Sequence, residues 1–338
     1  MTDRTTQKYE KEGAPASAAP KLAKALGFPQ EYFFRPVLDE IDAERVNFRA
    51  GRAAIRSARD SAVAAGSTGI EIMRWVEDRF TLPALNVPTF ESIEPETAAQ
   101  LLREEWGLGI KPLPNLVQLC ESRGIFVMVL PDAALEVDAF SLWHEGRPYI
   151  FIARQKTPER ARFDIAHELG HLVLHRHAPV DETSAAQEKE ADIFASALLM
   201  PEPLLAQYFR PNPTVDEILE CKQIFQVSAF AVATTLHKFG RMTDWIYRKV
   251  CVELTRRGYR TGEPDGMGSH EQSRLFPQVF GADKAGPVTV ARIARELAVP
   301  EEDVLTLTFG TRFRVLQGIG EKLASTQELE RPNLRLLS

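Results

Sequence analysis

The chain has 338 residues, 44% of them hydrophobic and 26% charged, an ordinary balance for a folded protein that argues against disorder. Its 41 basic and 47 acidic side chains leave a net charge of −6, which carries no global signature of a polyanion binder. Cys120, Cys221 and Cys251 lie far apart with no Cys-x-x-Cys pair, so neither a disulfide framework nor a thiolate zinc site is expected, and each reads as a small buried hydrophobe. The polar start MTDRTTQKYEKEG has no apolar signal core, and no apolar run reaches the roughly 18 residues needed to span a bilayer. A cytoplasmic protein with no membrane partner is expected.

In chain order, TDRTTQKYEKEG predicts a short helix, and a Gly/Pro/Ser turn and a second helix ending at Gly27 follow it. The Ala-, Arg- and Glu-rich stretch from Leu38 to Phe80 predicts one or two long helices, placed at 35–82. The proline-bearing segment Pro83 to Pro95 reads as a linker and a domain boundary. Helices over EPETAAQLLREEWG and NLVQLCESRG precede a β-type run, IFVMVLP, and then AFSLWH and RPYIFIA form a hairpin around Glu145 and Gly146. TPERARFDIAHELGHLVLHRHA and SAAQEKEADIFASALLMPEPLL predict two helices, and smaller helices, a Gly-rich loop near Gly262 to Ser269 and a helical region to residue 338 complete the chain. The expected fold class is α+β and mostly helical, a small sheet with helices packed on one side.

The chemistry concentrates in His167-Glu168-Leu169-Gly170-His171. Two histidines four apart on a helix leave the same face one turn apart, where one tetrahedral zinc can accept both. Glu168 is rotated off that face, in the position from which the H-E-x-x-H glutamate acts as base toward a water. The flanks Ile165, Ala166, Leu169, Leu172, Val173 and Leu174 are apolar, a costly setting for two histidines and a glutamate without a metal.

A third ligand has three candidates. His177 completes a His-x3-His-x5-His spacing, but Leu174 stands where the metzincin turn needs glycine. His175 lies too far along the helix and reads as a core or supporting histidine. Glu188 and Glu190 both lie on the next helix. Glu188 shares a face with Ala191, Asp192, Ala195 and Leu199, which leaves room for a metal and sets Asp192 one turn away to orient a ligand histidine. Glu190 points about 200° away on an ideal helix. Phase favours Glu188, with Glu190 the alternative.

RARFDIAHELGHLVLHRHA followed by EKEADIFASALLMP resembles the ImmA/IrrE family of zinc peptidases. AFSLWHEGRPYIFI resembles that family's strand pair ahead of the motif, and VSAFAVATTLHKFG its following helices, so the resemblance spans about 95–247. It implies a zincin-type active-site helix with His167, His171 and Glu188 as zinc ligands and Glu168 as catalytic base. It also implies cleavage of a protein partner, commonly a helix-turn-helix repressor. RTTQKYEKEGAPASAAPKLAKALGFPQEYFF, within residues 1–34, resembles the second half of a lambda-repressor-like helix-turn-helix domain whose first helices have no counterpart after Met1. In larger relatives such a domain is fused to the peptidase, in regulatory, toxin–antitoxin or phage-defence settings.

The expected activity is therefore zinc-dependent endoproteolysis of a repressor or antitoxin-type protein, with substrate aligned by β-augmentation along the RPYIFIA edge. Tyr149 and His144 are near enough by sequence to be weighed as oxyanion stabilisers, though strand and turn packing explains both. The competing expectation is a DNA-binding or antitoxin-like regulator that uses the zinc domain as a scaffold, supported by the N-terminal fragment and by VARIARELAVPEEDVLTLTFG at 290–310. Half a helix-turn-helix cannot both insert and brace a recognition helix, so no sequence-specific DNA binding is expected from this chain alone.

Overall fold

A computed structural model describes residues 3–36, 41, 47–50, 56–134, 136–177, 185–280, 288–311 and 335–336. The N-terminal part contains α1 (Asp3–Glu12), α2 (Ala19–Leu26) and a 3-10 turn at Gln30–Phe34, with α2 closed by Gly27 at φ 73°. β1 (Asn47–Ala50), α3 (Arg56–Glu77) and β2 (Phe80–Thr81) follow. Helix is thus found over 56–77, but Asn47–Ala50 is a strand and not part of the long helix expected over 35–82. Four residues hold a single alternation, too short for a two-residue period to separate from a helical one, and pairing with another strand settled the matter.

The central sheet is built from β3 (Phe126–Val129), β4 (Val137–His144) and β5 (Arg147–Ile152), with β1 added, in the order β1-β4-β5-β3. β4 and β5 form the expected hairpin, and their turn residues Glu145 and Gly146 both have positive φ (48° and 78°), the pattern of a tight primed turn. β3 runs parallel to β5, pairing Phe126 with Tyr149 and Val129 with Ile152. β5 is therefore an inner strand. The expectation that a substrate adds along its edge is corrected: β4 and β3 already take both sides, and β1 takes the outer edge of β4 from Val137 to Ser141.

Alternation along β4 and β5 sends side chains to two covered faces, so helices pack on both sides of the sheet and not on one. On one face, Phe140 and Phe151 stack at 4.7 Å and meet α3 where it has Gly66 and Gly69. A Cβ on Gly69 would lie 2.7 Å from the Phe151 ring and 2.8 Å from Met128 Sδ, so glycine there sets how closely α3 approaches. On the other face, Ser141 and Trp143 meet α6 (Pro158–Leu174), with Trp143 Nε1 donating to Leu172 O at 3.1 Å.

α4 (Pro95–Glu105) and α5 (Leu116–Ser122) precede the sheet in the chain; α7 (Ala185–Leu199), α8 (Glu202–Tyr208), α9 (Val215–Phe225), α10 (Ala229–Lys238) and α11 (Asp244–Arg256) follow α6. Then come α12 (Leu275–Val279), α13 (Val290–Leu297), α14 (Glu301–Leu307) and β6 (Arg335–Leu336), which pairs with β2. α13 docks on α3, where Trp75 Nε1 donates to Glu296 at 2.8 Å and the Arg79 guanidinium lies 4.0 Å over the Trp75 ring. The segment Pro83 to Pro95 does not divide two cores. Asn86 N donates to Arg123 O at 2.9 Å, Phe90 N donates to Val173 O at 2.7 Å, and α3 shares one buried cluster with the sheet and α6. Proline density reports only that this backbone is irregular; its Asn86 and Phe90 amides are taken up by the turn after α5 and by α6, and Asn86 O accepts from Trp106 Nε1. Of the cysteines, only Cys120 is buried; Cys221 and Cys251 are half-buried. Among the described residues, no helix is long and apolar enough to cross a membrane.

Candidate metal centre

α6 begins at Thr157, whose side chain accepts from Arg160 N, with Pro158 in the first turn, where its missing N–H costs no helical bond. From there the helix is buried nearly throughout, and it carries His167 (1% exposed), Glu168 (0%) and His171 (4%) into the interior. Gly170 allows the second half of the site to form. A Cβ there would lie 3.0 Å from the Phe194 ring and 3.3 Å from Ala191 Cα, so any larger residue would press α7 away from α6 by a few tenths of an ångström.

That approach brings Glu188 to the two histidines. Glu188 Oε2 lies 3.4 Å from His167 Nε2, and Oε1 lies 3.3 Å from His171 Nε2. The two Nε2 atoms are 3.1 Å apart. One ligand atom from each of His167, His171 and Glu188 falls within 4.8 Å of the others, a group able to hold a metal ion. Asp192, one turn beyond Glu188, meets His167 Nδ1 at 2.9 Å. His167 Nδ1 thus faces a carboxylate, and its Nε2 faces the other members of the group. Two imidazole nitrogens and a carboxylate converging on one point form a donor set that suits zinc.

Burial pushes the His171 imidazole down to about 4, with His167 and His175 adding to the shift and Glu188 opposing it; at neutral pH His171 is uncharged, the form that ligates a metal. Partial burial pushes Glu188 up, but hydrogen bonds from His167 and His171 outweigh it and hold the carboxyl well below the usual range. Glu188 is therefore ionised at neutral pH.

Glu168 leaves α6 toward the sheet. Its Oε2 accepts from Ser141 Oγ at 2.7 Å, and the same hydroxyl reaches Glu168 O at 3.3 Å. Sequence reasoning did not single out Ser141. Its one signal is a lone hydroxyl in the apolar run AFSLWH, at the position whose side chain faces α6. Glu190 does not join the His167–His171–Glu188 group and instead meets His175 Nε2 at 2.9 Å. His177 is exposed, 3.8 Å from Glu91. Neither residue weighed as an oxyanion stabiliser faces the site. Tyr149 packs edge-on to Phe126 on the α3 side of the sheet, and His144 Nε2 lies 3.0 Å from Arg74.

Residues 120–237 match the family model of peptidase M78, the IrrE N-terminal-like domain. The match covers about a third of the chain and contains β3 to β5, α6, α7 and every member of the cluster. No curated protein matches the sequence. α3, which packs on the sheet, and α13 and α14, which pack on α3, lie outside the matched residues.

A strap outside the match locks the N-terminal half of α6. Residues 263–275 cross α5 and α6, anchored at four buried charged groups. Glu263 pairs with Lys222 at 3.1 Å and accepts from Ala229 N at 3.3 Å. Glu159 accepts from Met267 N, and a side chain at Gly266 would collide with the Glu159 carboxylate. Arg162 pairs with Glu271 and donates to Leu113 O and Pro114 O at 2.8 Å each. Glu121 accepts from Ser273 Oγ, from Arg274 N at 2.8 Å and from Leu275 N at 3.1 Å. The loop expected near Gly262 to Ser269 is thus tied down.

Proposed function

We propose that the chain is a zinc-dependent endopeptidase acting on a protein partner, with His167, His171 and Glu188 holding the metal and Glu168 serving as general base. The single observation that carries this reading is the convergence of two buried imidazole nitrogens and the Glu188 carboxylate beside Glu168, within a segment matching a peptidase family model. Zinc bound by this group supplies Lewis acidity, activating water at neutral pH and polarising a carbonyl oxygen.

The protein's own residues do the rest. Glu168 takes the proton of the attacking water and returns it to the leaving amine nitrogen. Ser141 donates to Glu168 Oε2 and so fixes the plane of the carboxylate. Asp192 holds the ring of His167. Burial of His167, Glu168 and His171 strengthens the contacts that these side chains make. The resemblance to the ImmA/IrrE peptidases supports a helix-turn-helix repressor or an antitoxin-type protein as the substrate class, met in the cytoplasm.

The test is Glu168→Gln. The variant is expected to keep its zinc and its fold while losing roughly 10²–10⁴-fold in peptide hydrolysis, the usual contribution of a positioned base. Its use as bait should retain the uncleaved partner. Wild-type turnover by this variant would refute the base assignment.

A further inference from the structure

The two histidines of the cluster are braced in different ways. His167 turns Nδ1 directly to Asp192 at 2.9 Å. His171 turns Nδ1 to a second imidazole, His175 Nδ1, at 3.0 Å, and His175 Nε2 in turn reaches Glu190 Oε2 at 2.9 Å. His175 stands one turn beyond His171 at the end of α6, and Glu190 stands on α7 beside Glu188. We propose that His175 and Glu190 are positioning residues, a two-link brace that selects the tautomer and ring plane in which His171 binds the metal. The proposal rests on the metal-site reading above.

The argument is one of hydrogen bookkeeping. Between two Nδ1 atoms at hydrogen-bond distance, one ring donates and the other accepts. If His171 Nδ1 donates, its Nε2 carries the electron pair that faces Glu188 and His167, which is the ligating form. His175 Nδ1 then accepts, so the His175 hydrogen sits on Nε2, where the Glu190 carboxylate accepts it. Every contact in this direction has one hydrogen.

The reverse direction fails at the carboxylate. A donating His175 Nδ1 would leave its Nε2 as an electron pair facing the electron pairs of Glu190, and would put the His171 hydrogen on the nitrogen that faces the metal position. When a metal takes the His171 Nε2 electron pair, Glu190 therefore completes the one direction in which every contact of the relay carries a hydrogen. Asp192 does the same for His167 in a single step. The two carboxylates lie two residues apart on α7, so one helix sets the tautomers of both α6 histidines and also presents Glu188.

The test is zinc affinity by chelator competition on the full chain, for His175→Phe, Glu190→Ala, Glu190→Gln and, as the ligand reference, Glu188→Ala. His175→Phe and Glu190→Ala are expected to weaken zinc binding about 10–100-fold, the usual effect of removing a residue that orients a ligand. Glu190→Gln should restore most of it, because its amide oxygen accepts the same N–H. In the zinc-loaded wild type, nitrogen-15 NMR should find hydrogen on Nδ1 of His171 and on Nε2 of His175. The metal-free Glu190 variants should melt with the wild type, since Glu190 is half exposed.

Unchanged affinity in His175→Phe and Glu190→Ala, with a wild type that binds zinc, overturns the brace alone. Hydrogen on Nδ1 of His175 does the same. Loss in Glu190→Ala as complete as in Glu188→Ala would make Glu190 a ligand and overturn it as well. A wild type that takes no zinc removes the metal site and the brace together.

Discussion

Two parts of this molecule gather titratable groups on the same helix and put them to opposite ends. At the C-terminal half of α6, His167, His171 and Glu188 converge on one point, and their supporting partners, Asp192 and His175, sit behind them. At the N-terminal half, Glu159, Arg162 and Glu121 are buried too, and each is met by a backbone amide, a carbonyl or an opposite charge from the strap or its neighbours. The first arrangement turns three ligand atoms toward one point. The second turns its charges to partners within the chain. Burial of charge alone does not distinguish a site from a strut; what the charge faces does.

The largest test of this contrast is at the metal centre. Glu188→Ala should weaken zinc binding by well over the roughly 100-fold that marks the upper end for a supporting residue, whereas the metal-free fold should change little. Zinc retention equal to the wild type would turn the centre into another strut. The opposite split is expected in the strap. Glu271→Ala leaves the buried Arg162 guanidinium without its carboxylate and should cost about 3–5 kcal/mol of stability by denaturant melt, with zinc affinity kept. Loss of zinc binding in the folded variant would show that the two halves of α6 are coupled.

A smaller effect sharpens the comparison through pH. Burial pushes the Glu121 carboxyl up to about 7, against hydrogen bonds from Ser273, Arg274 and Leu275 that pull it down. An unfolded glutamate titrates near 4.3, so between those values the folded chain holds a proton the unfolded chain has given up. The stability contributed by this group is present in full below the unfolded value and is lost as pH rises toward 7. Glu121→Gln is expected to flatten that decline in melts taken from pH 4.5 to 7.5. An unchanged slope would mean that another group carries it. The smallest expected effect is none: the chain alone should give no sequence-specific shift with DNA of its own promoter at physiological salt, whereas a discrete complex near 10⁻⁸ M would assign the N-terminal helices a nucleic-acid role.

What the sequence determined by itself was local. A four-residue spacing puts His167 and His171 on one face of any helix, and helical phase puts Glu188 and Asp192, but not Glu190, on another. The Glu145–Gly146 turn was legible because a glycine, which takes a positive φ without strain, stands between two β-type runs. Gly170 was visible as a letter within the motif, but its contact with Phe194 was not.

Tertiary structure decided what depends on distant partners. Asn47–Ala50 became a strand because β4 offered it an edge, which the local pattern of those four residues does not encode. Ser141 acquired a role only when α6 crossed β4, and His175 and Glu190 became neighbours only through the packing of α7 on α6. The Gly-rich loop became a strap because Arg162, Glu159 and Glu121, spaced along two helices, aim their charges at one line of backbone. Helical periodicity reports which way a side chain points, and only packing supplies what it points at.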